Sequence, residues 1–239
     1  MSIDSPSEIE HLSIADVALN YPQAIRILNR YGLDYSCNGK ISFVEACEVR
    51  NLNPYHVWQE IEDEIRMTGR NRRREFGSWE TDLLIDFILQ HHHEYLRLTI
   101  PQIRELLNTV CIHHSADSPV QEIKEHFEVV ADDLLGHLSR EENVLFPALR
   151  RLSRPLLPQT PILSDLQKAI SSTKDRFHRA GDSIRAIRRL ANDYAAPAKA
   201  CPTFQLLYRL LEEFEYDVMQ HIHLENNILF PKAAQASDN

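Results

Sequence analysis

Twelve histidines stand among 239 residues, and the most informative of them are spaced for helices. The chain reads H-L-S-R-E-E-N-V-L-F-P from His137 to Pro147 and H-I-H-L-E-N-N-I-L-F-P from His221 to Pro231, identical at six of eleven positions. Each copy contains His-x-x-x-Glu. At i and i+4 of a helix both side chains leave the same face one turn apart, so His137 with Glu141 and His221 with Glu225 each form a nitrogen-and-oxygen claw. Ile123, Phe127, Val130 and Leu134 run at 3-4 spacing into His137, Glu141 and Val144, which places the first claw on a core-facing line. A carboxylate buried there needs a partner. A single His-x-x-x-Glu in a His-rich, Glu-rich chain is more often a surface pair or a core histidine. Two copies inside a repeated eleven-residue segment reverse that balance.

An upstream helix supplies the next donor. Leu89, His93, Leu96, Ile100, Ile103 and Leu107 form an apolar stripe interrupted only by His93. His91, on the stripe Leu84, Ile88, Tyr95 and Leu98, is the rival ligand, and His92, His113, His114, His126 and His223 are assigned structural or solvated roles. His93 lies 16 residues before Thr109, His137 lies 18 after Pro119 and His221 lies 19 after Pro202, so antiparallel helices put all three at one level. Two carboxylates and three or four imidazoles suit a pair of iron ions. Nitrogen and oxygen donors exclude a soft thiolate site, and too few oxygens converge for calcium. Two Glu from opposite helices can bridge both ions and leave coordination positions open. Ferritin-like di-iron proteins use Glu-x-x-His, so the reversed order points to a hemerythrin-like arrangement.

Four long helical segments must position these donors, and breakers mark them. They run from about 79 to 109, from Ser118-Pro119 to Leu152, from Thr160-Pro161 to near Asp193, and from Cys201-Pro202 to near Pro231. Each is roughly 30 residues, or about 45 Å, the length of an up-down four-helix bundle. Residues 13–68 read as shorter helices: Ser13 caps the first, Gly32 suits the left-handed position after the second, Ser42 with Glu45 forms a capping box, and Asn53-Pro54 opens the last. The fold class expected is all-α. A helical module at 1–68 is followed by a linker at 69–78, where the arginines carry no apolar period, and a bundle at 79–235.

Composition narrows the function classes. A net charge of −9 argues against a broad grip on nucleic acid. No apolar run is long enough for a membrane span and the N-terminus lacks a secretory pattern, so a cytoplasmic location is expected. The cysteines at 37, 47, 111 and 201 form neither a CxxC pair nor a zinc-ribbon spacing and are expected as free thiols. No Ser-His-Asp set, phosphate-cradling glycine loop or hydride-cofactor fingerprint is present.

Taken together, YGLDYSCNGK and SFVEAC in the module, HHHEYLRLTIPQI, HLSREENVLFP, and NDYAAPAKACPTFQLLY followed by HIHLENNILFP make the chain resemble the iron-sulfur cluster repair di-iron proteins. That family, the Repair of Iron Centers proteins, joins an ScdA-like module to a hemerythrin-like bundle. The resemblance implies His93, His137, Glu141, His221 and Glu225 as iron ligands, the two Glu bridging a non-haem di-iron centre that is oxo-bridged when oxidised. It implies repair of iron-sulfur proteins damaged by nitrosative or oxidative stress, by iron supply or nitric oxide chemistry, and a homodimer. Two departures stand out. Ser36 precedes a single Cys37 where the family has two adjacent cysteines; Cys37, beside Lys40, is a candidate for a lowered pKa and remains the module's reactive thiol. Phe177 occupies the family's histidine position in the third long helix, and His178 is expected to reach the metal through a helix irregularity such as a π-bulge. The competing reading is an oxygen or nitric oxide binding or sensing protein without repair activity. Whether the chain turns over a substrate is left open by the sequence.

Overall fold

The computed structural model describes residues 11–68, 76–114, 119–152, 179–198 and 200–236, with the single positions 9 and 170. Its contacts divide the chain into two compact units, Met1–Trp79 with Ile222–Ile228, and Glu80–His221 with Leu229–Asn239. The described residues are helical without strands, and Ser13 and Ser42 form an isolated antiparallel bridge.

In the first unit, α1 (Ile14–Asn20) starts at a closed capping box. Ser13 Oγ accepts from Asp16 N at 3.1 Å, and Asp16 Oδ2 accepts from Ser13 N at 3.2 Å. The helix α2 (Ala24–Arg30) ends before Gly32, which takes φ +62° as the sequence requires. At α3 (Phe43–Val49) Ser42 Oγ accepts from Glu45 N, and at α4 (Pro54–Thr68) Asn53 Oδ1 accepts from Tyr55 N and His56 N. Trp58 of α4 meets Tyr21 and Phe43 edge-on, with centroids 5.4 and 5.8 Å away. The arginine-rich part of the expected linker, 69–75, lies outside the described residues. At its end Phe76–Ser78 forms a 3-10 turn with Phe76 buried.

The second unit contains α5 (Thr81–Phe87), α6 (Glu94–His114), α7 (Val120–Arg140) and α8 (Phe146–Leu152). The helix α9 covers residues 179–190 among those described. The last two helical segments are α10 (Pro202–Leu224) and α11 (Phe230–Ala236). Ion pairs fix the antiparallel register of α6 and α7. Arg97 meets Glu142, while Arg104, two turns on, meets Glu128 and Asp132. Ile100, Ile103 and Leu107 of α6 and Ile123, Phe127, Val130 and Leu134 of α7 are buried, and Phe127 packs on Phe214 of α10 at 5.2 Å. After α9 the chain passes through three left-handed residues, Asn192, Asp193 and Tyr194. Asn and Asp tolerate that conformation, but tyrosine does so at a cost. The Tyr194 hydroxyl donates to buried Glu215 at 2.6 Å, and Arg188 Nε donates to the same carboxylate at 3.0 Å, which holds the turn in place.

Candidate metal centre

Among the described residues three turns of π-helix interrupt the long helices, at Ile88–His93, Glu141–Leu145 and Glu225–Leu229. Each contains or begins on a sequence-selected donor. Such insertions shift a helix face by one residue and recur at functional sites. In the first long helix Leu84 and Ile88 are buried up to the first residue of the insertion, and His93, Leu96 and Ile100 from its last residue on, so its two competing stripes are each correct on one side. The repeated Leu-Phe-Pro that follows the other two insertions has a physical role. Proline has no N–H for the carbonyl four residues back, and its ring crowds that carbonyl. Within the first of these two insertions the Asn143 side chain donates to the Ser139 carbonyl at 2.7 Å, one turn back. The same insertion overturns the expectation for Val144. It is 61% exposed, and the core position passes to Leu145.

Four of the sequence-selected side chains are brought together. One ligand atom from each of His93, Glu141, His221 and Glu225 lies within 4.8 Å of the others, and all four residues are buried. That is the scale of one coordination sphere, whose opposite donors stand about 4 Å apart for bonds near 2 Å. His137 Nε2 lies 2.7 Å from Glu141 Oε1, whereas Glu141 Oε2 faces His93 Nε2 at 3.4 Å and His221 Nε2 at 3.8 Å. The two oxygens of one carboxylate are thus shared between different imidazoles. The residues present fit a cation: two buried carboxylates are surrounded by imidazole nitrogens in an apolar interior, where a bare anion is costly.

Carboxylates outside this set orient the rings. His93 Nδ1 donates to Glu142 Oε1 at 2.8 Å, and Arg97 holds both Glu142 oxygens at 3.0 and 2.9 Å. Burial acts to raise the Glu142 carboxyl, but the bonds from His93 and Arg97 prevail and hold it below the ordinary range. His92 Nδ1 lies 2.9 Å from Asp217 Oδ1. Burial pushes that aspartate up, and His92 draws it partly back. His92 is buried and not solvated, and so is His223, whose imidazole is lowered to about 4 by burial. His91 is exposed, with Nδ1 on the Phe87 carbonyl and its ring stacked on Phe87, so the rival ligand is not in the group. His178 and Phe177 lie outside the described residues.

Cys37 sits in the first unit on a turn organised by Asp34. The Asp34 carboxylate accepts from Ser36 N, Ser36 Oγ, Cys37 N and Asn38 Nδ2, and Ser36 Oγ lies 3.9 Å from Cys37 Sγ. Gly39 is required there, since a Cβ would stand 2.6 Å from the Tyr35 carbonyl. Within the same unit Asn226 and Asn227 donate to the Ser36 and Tyr35 carbonyls at 3.2 and 3.1 Å. Sequence reading missed Glu142, Arg97, Asp217 and both asparagines. Repeat position alone marks Glu142, whose counterpart in the second copy is Asn226.

The family model of the hemerythrin HHE cation binding domain matches residues 84–233, a span that contains all of these donors. The chain belongs to the hemerythrin HHE family. A second family model, the ScdA N-terminal domain of unknown function, matches residues 10–65. A probable iron-sulfur cluster repair protein of Haemophilus influenzae is 30% identical over 92% of this chain and 95% of its own. The iron-sulfur cluster repair proteins YtfE of Dickeya chrysanthemi and ScdA of Staphylococcus haemolyticus are each 28% identical, over 92% of this chain and 96% of theirs. As in the sequence reading, the described residues contain no helix long and apolar enough to cross a membrane.

Proposed function

We propose that this hemerythrin HHE protein repairs damaged iron-sulfur clusters, using iron held by His93, His137, Glu141, His221 and Glu225. The sharing of the Glu141 oxygens carries the reading. One oxygen is beside His137 and the other faces His93 and His221, the disposition of a carboxylate serving two ions. Similarity along nearly the whole chain to proteins named for cluster repair supports the biological role. Iron bound there would supply a redox-active, exchangeable metal able to take a diatomic ligand such as nitric oxide or oxygen.

The chain's own residues set the terms of that chemistry. His93 presents Nε2 because Nδ1 is tied to Glu142, and Glu142 is tied to Arg97. Apolar neighbours keep bulk water away: Phe146 stacks on the His93 ring at 5.5 Å, and Leu96, Leu138 and Leu145 are buried. The module at 1–68 contributes Cys37 as its reactive thiol, and the bundle at 79–235 contributes the metal donors. The partners are damaged iron-sulfur proteins in the cytoplasm.

Protein purified without oxygen is expected to contain close to two irons per chain, and the loaded form to restore activity to an enzyme whose cluster nitric oxide has destroyed. His93→Ala and Glu141→Ala are expected to lose both properties. A loaded protein that binds oxygen or nitric oxide reversibly, yet restores no client, would replace repair with sensing.

A further inference from the structure

We propose that Asn226 and Asn227 are positioning residues through which metal binding at Glu225 sets the reactivity of the Cys37 thiol. The inference rests on the metal-centre reading above and deepens it, because it ties the state of one donor to the turn that carries the thiol. Ile222–Ile228 belongs to the same compact unit as the module, so Glu225, both asparagines and the turn are parts of one unit.

The two asparagines pin the peptide planes that lead to the thiol. Asn227 Nδ2 donates to the Tyr35 carbonyl at 3.1 Å, and the N–H of that same peptide, on Ser36, donates to Asp34 Oδ1 at 3.2 Å. Asn226 Nδ2 donates to the Ser36 carbonyl at 3.2 Å, and the N–H of that peptide, on Cys37, donates to Asp34 Oδ1 at 2.8 Å. Each plane is thus held at both ends, by Asp34 on one side and by the helix on the other. Gly39 permits the close approach, since a Cβ there would stand 3.0 Å from Asn227 Oδ1. The helix side is the π-helical turn Glu225–Leu229, which begins on the metal donor itself. Successive helical residues point about 100° apart. Glu225 can therefore face the buried donor group while its two neighbours reach the turn, and any shift of Glu225 on taking an ion moves both amides.

The repeat supplies an internal comparison. Its first copy has Glu142 and Asn143 where the second has Asn226 and Asn227. Glu142 accepts from His93, and Asn143 donates to the Ser139 carbonyl of its own helix. A carboxylate only accepts, whereas an amide donates. The second copy carries amides at both positions, as the two carbonyls of the Cys37 turn require.

The test follows alkylation by iodoacetamide, in which the thiolate sulfur displaces iodide, on the full chain metal-free and loaded with ferrous iron alone under nitrogen. Peptide mass spectrometry separates Cys37 from the other thiols, of which Cys47, buried and thereby pushed up to about 11, is the slow reference. Iron is expected to slow Cys37 relative to Cys47 by at least about fivefold, the lower end of the couplings between linked sites. Asn226→Ala and Asn227→Ala are expected to keep their iron and lose that dependence, whereas Asn143→Ala keeps it. Equal Cys37 rates in the two states of the natural chain overturn the proposal, and so does equal slowing of both thiols, the mark of global stabilisation alone. A dependence that survives in both asparagine variants, or vanishes as fully in Asn143→Ala, overturns it too. If the variants fail to fold, amide hydrogen exchange in the natural chain decides: the Ser36 and Cys37 N–H groups are expected to exchange more slowly with iron bound, and unchanged exchange sinks the coupling. The two readings fail differently. A natural chain that takes up no iron removes the metal centre and this inference with it, whereas two irons bound beside an unresponsive Cys37 overturn the inference alone.

Discussion

Glu142 shows how far a site extends beyond the atoms that bind. It is half-buried, and it links Arg97 to Nδ1 of His93 through three short bonds. Removing it leaves His93 free to rotate and less basic, and outer partners of this kind are worth about 10- to 100-fold in metal affinity. Glu142→Ala is therefore expected to weaken iron binding by that factor in chelator competition while circular dichroism stays unchanged; equal affinity would show that packing against Phe146 alone fixes the ring. Glu215 makes a second prediction, with pH as the variable. Burial, the largest influence, raises its carboxyl above the ordinary 4.5, against the pull of Arg188 and Tyr194. The folded chain thus holds that proton more tightly than the unfolded chain. The resulting stabilisation is complete below about 4.5 and is lost as pH rises through the folded value. Melting of the metal-free protein is expected to fall with pH in that window less steeply in Glu215→Gln than in the natural chain. At this scale the clustering of His93, Glu141, His221 and Glu225 was legible because His and Glu at i and i+4 are a chemical statement in themselves. Glu142 and Asp217 were not, since their roles depend on which residue of another helix stands opposite.

Helices were legible wherever a local signal sufficed. Ser13 is the clearest case, because its hydroxyl and the Asp16 carboxylate satisfy each other's backbone donors at the start of α1. Ser13→Ala removes the side-chain half of that box and is expected to cost about 1 kcal/mol of module stability. Urea unfolding of the full chain, followed by the fluorescence of Trp58 in the same unit, measures it, and an unchanged midpoint would show that the bridge to Ser42 suffices. The π-helical turns had no such signal. An inserted residue leaves the apolar count of a segment unchanged and alters only its phase. The Val144 expectation therefore failed by one position, and two stripes competed for the helix that carries His93. The repeated Leu-Phe-Pro was the available trace, a proline placed where an unbroken helix would need its N–H. The bulge expected at His178 belongs to a segment outside the described residues, whereas the three insertions observed lie on the other donor-bearing helices.

For the whole molecule the donor set has a thermodynamic consequence. His93, Glu141, His221 and Glu225 come from three segments separated by tens of residues, so only the folded chain can present them together. A ligand that binds the native state alone stabilises it by about 2.7 kcal/mol at a hundredfold excess over its dissociation constant. In a chain of this size each kcal/mol moves the melting temperature by about 2 to 4 °C. Iron is therefore expected to raise the melting temperature by about 5 to 10 °C, and a chelator to remove the gain. Glu141→Gln is expected to abolish this increment while the metal-free protein remains folded, because the amide relieves a buried charge but binds iron poorly. The pair of measurements separates a functional centre from a buried polar cluster. If metal-free and iron-treated protein melt together, and Glu141→Gln stabilises both, the carboxylates are compensated by protonated histidines rather than by an ion.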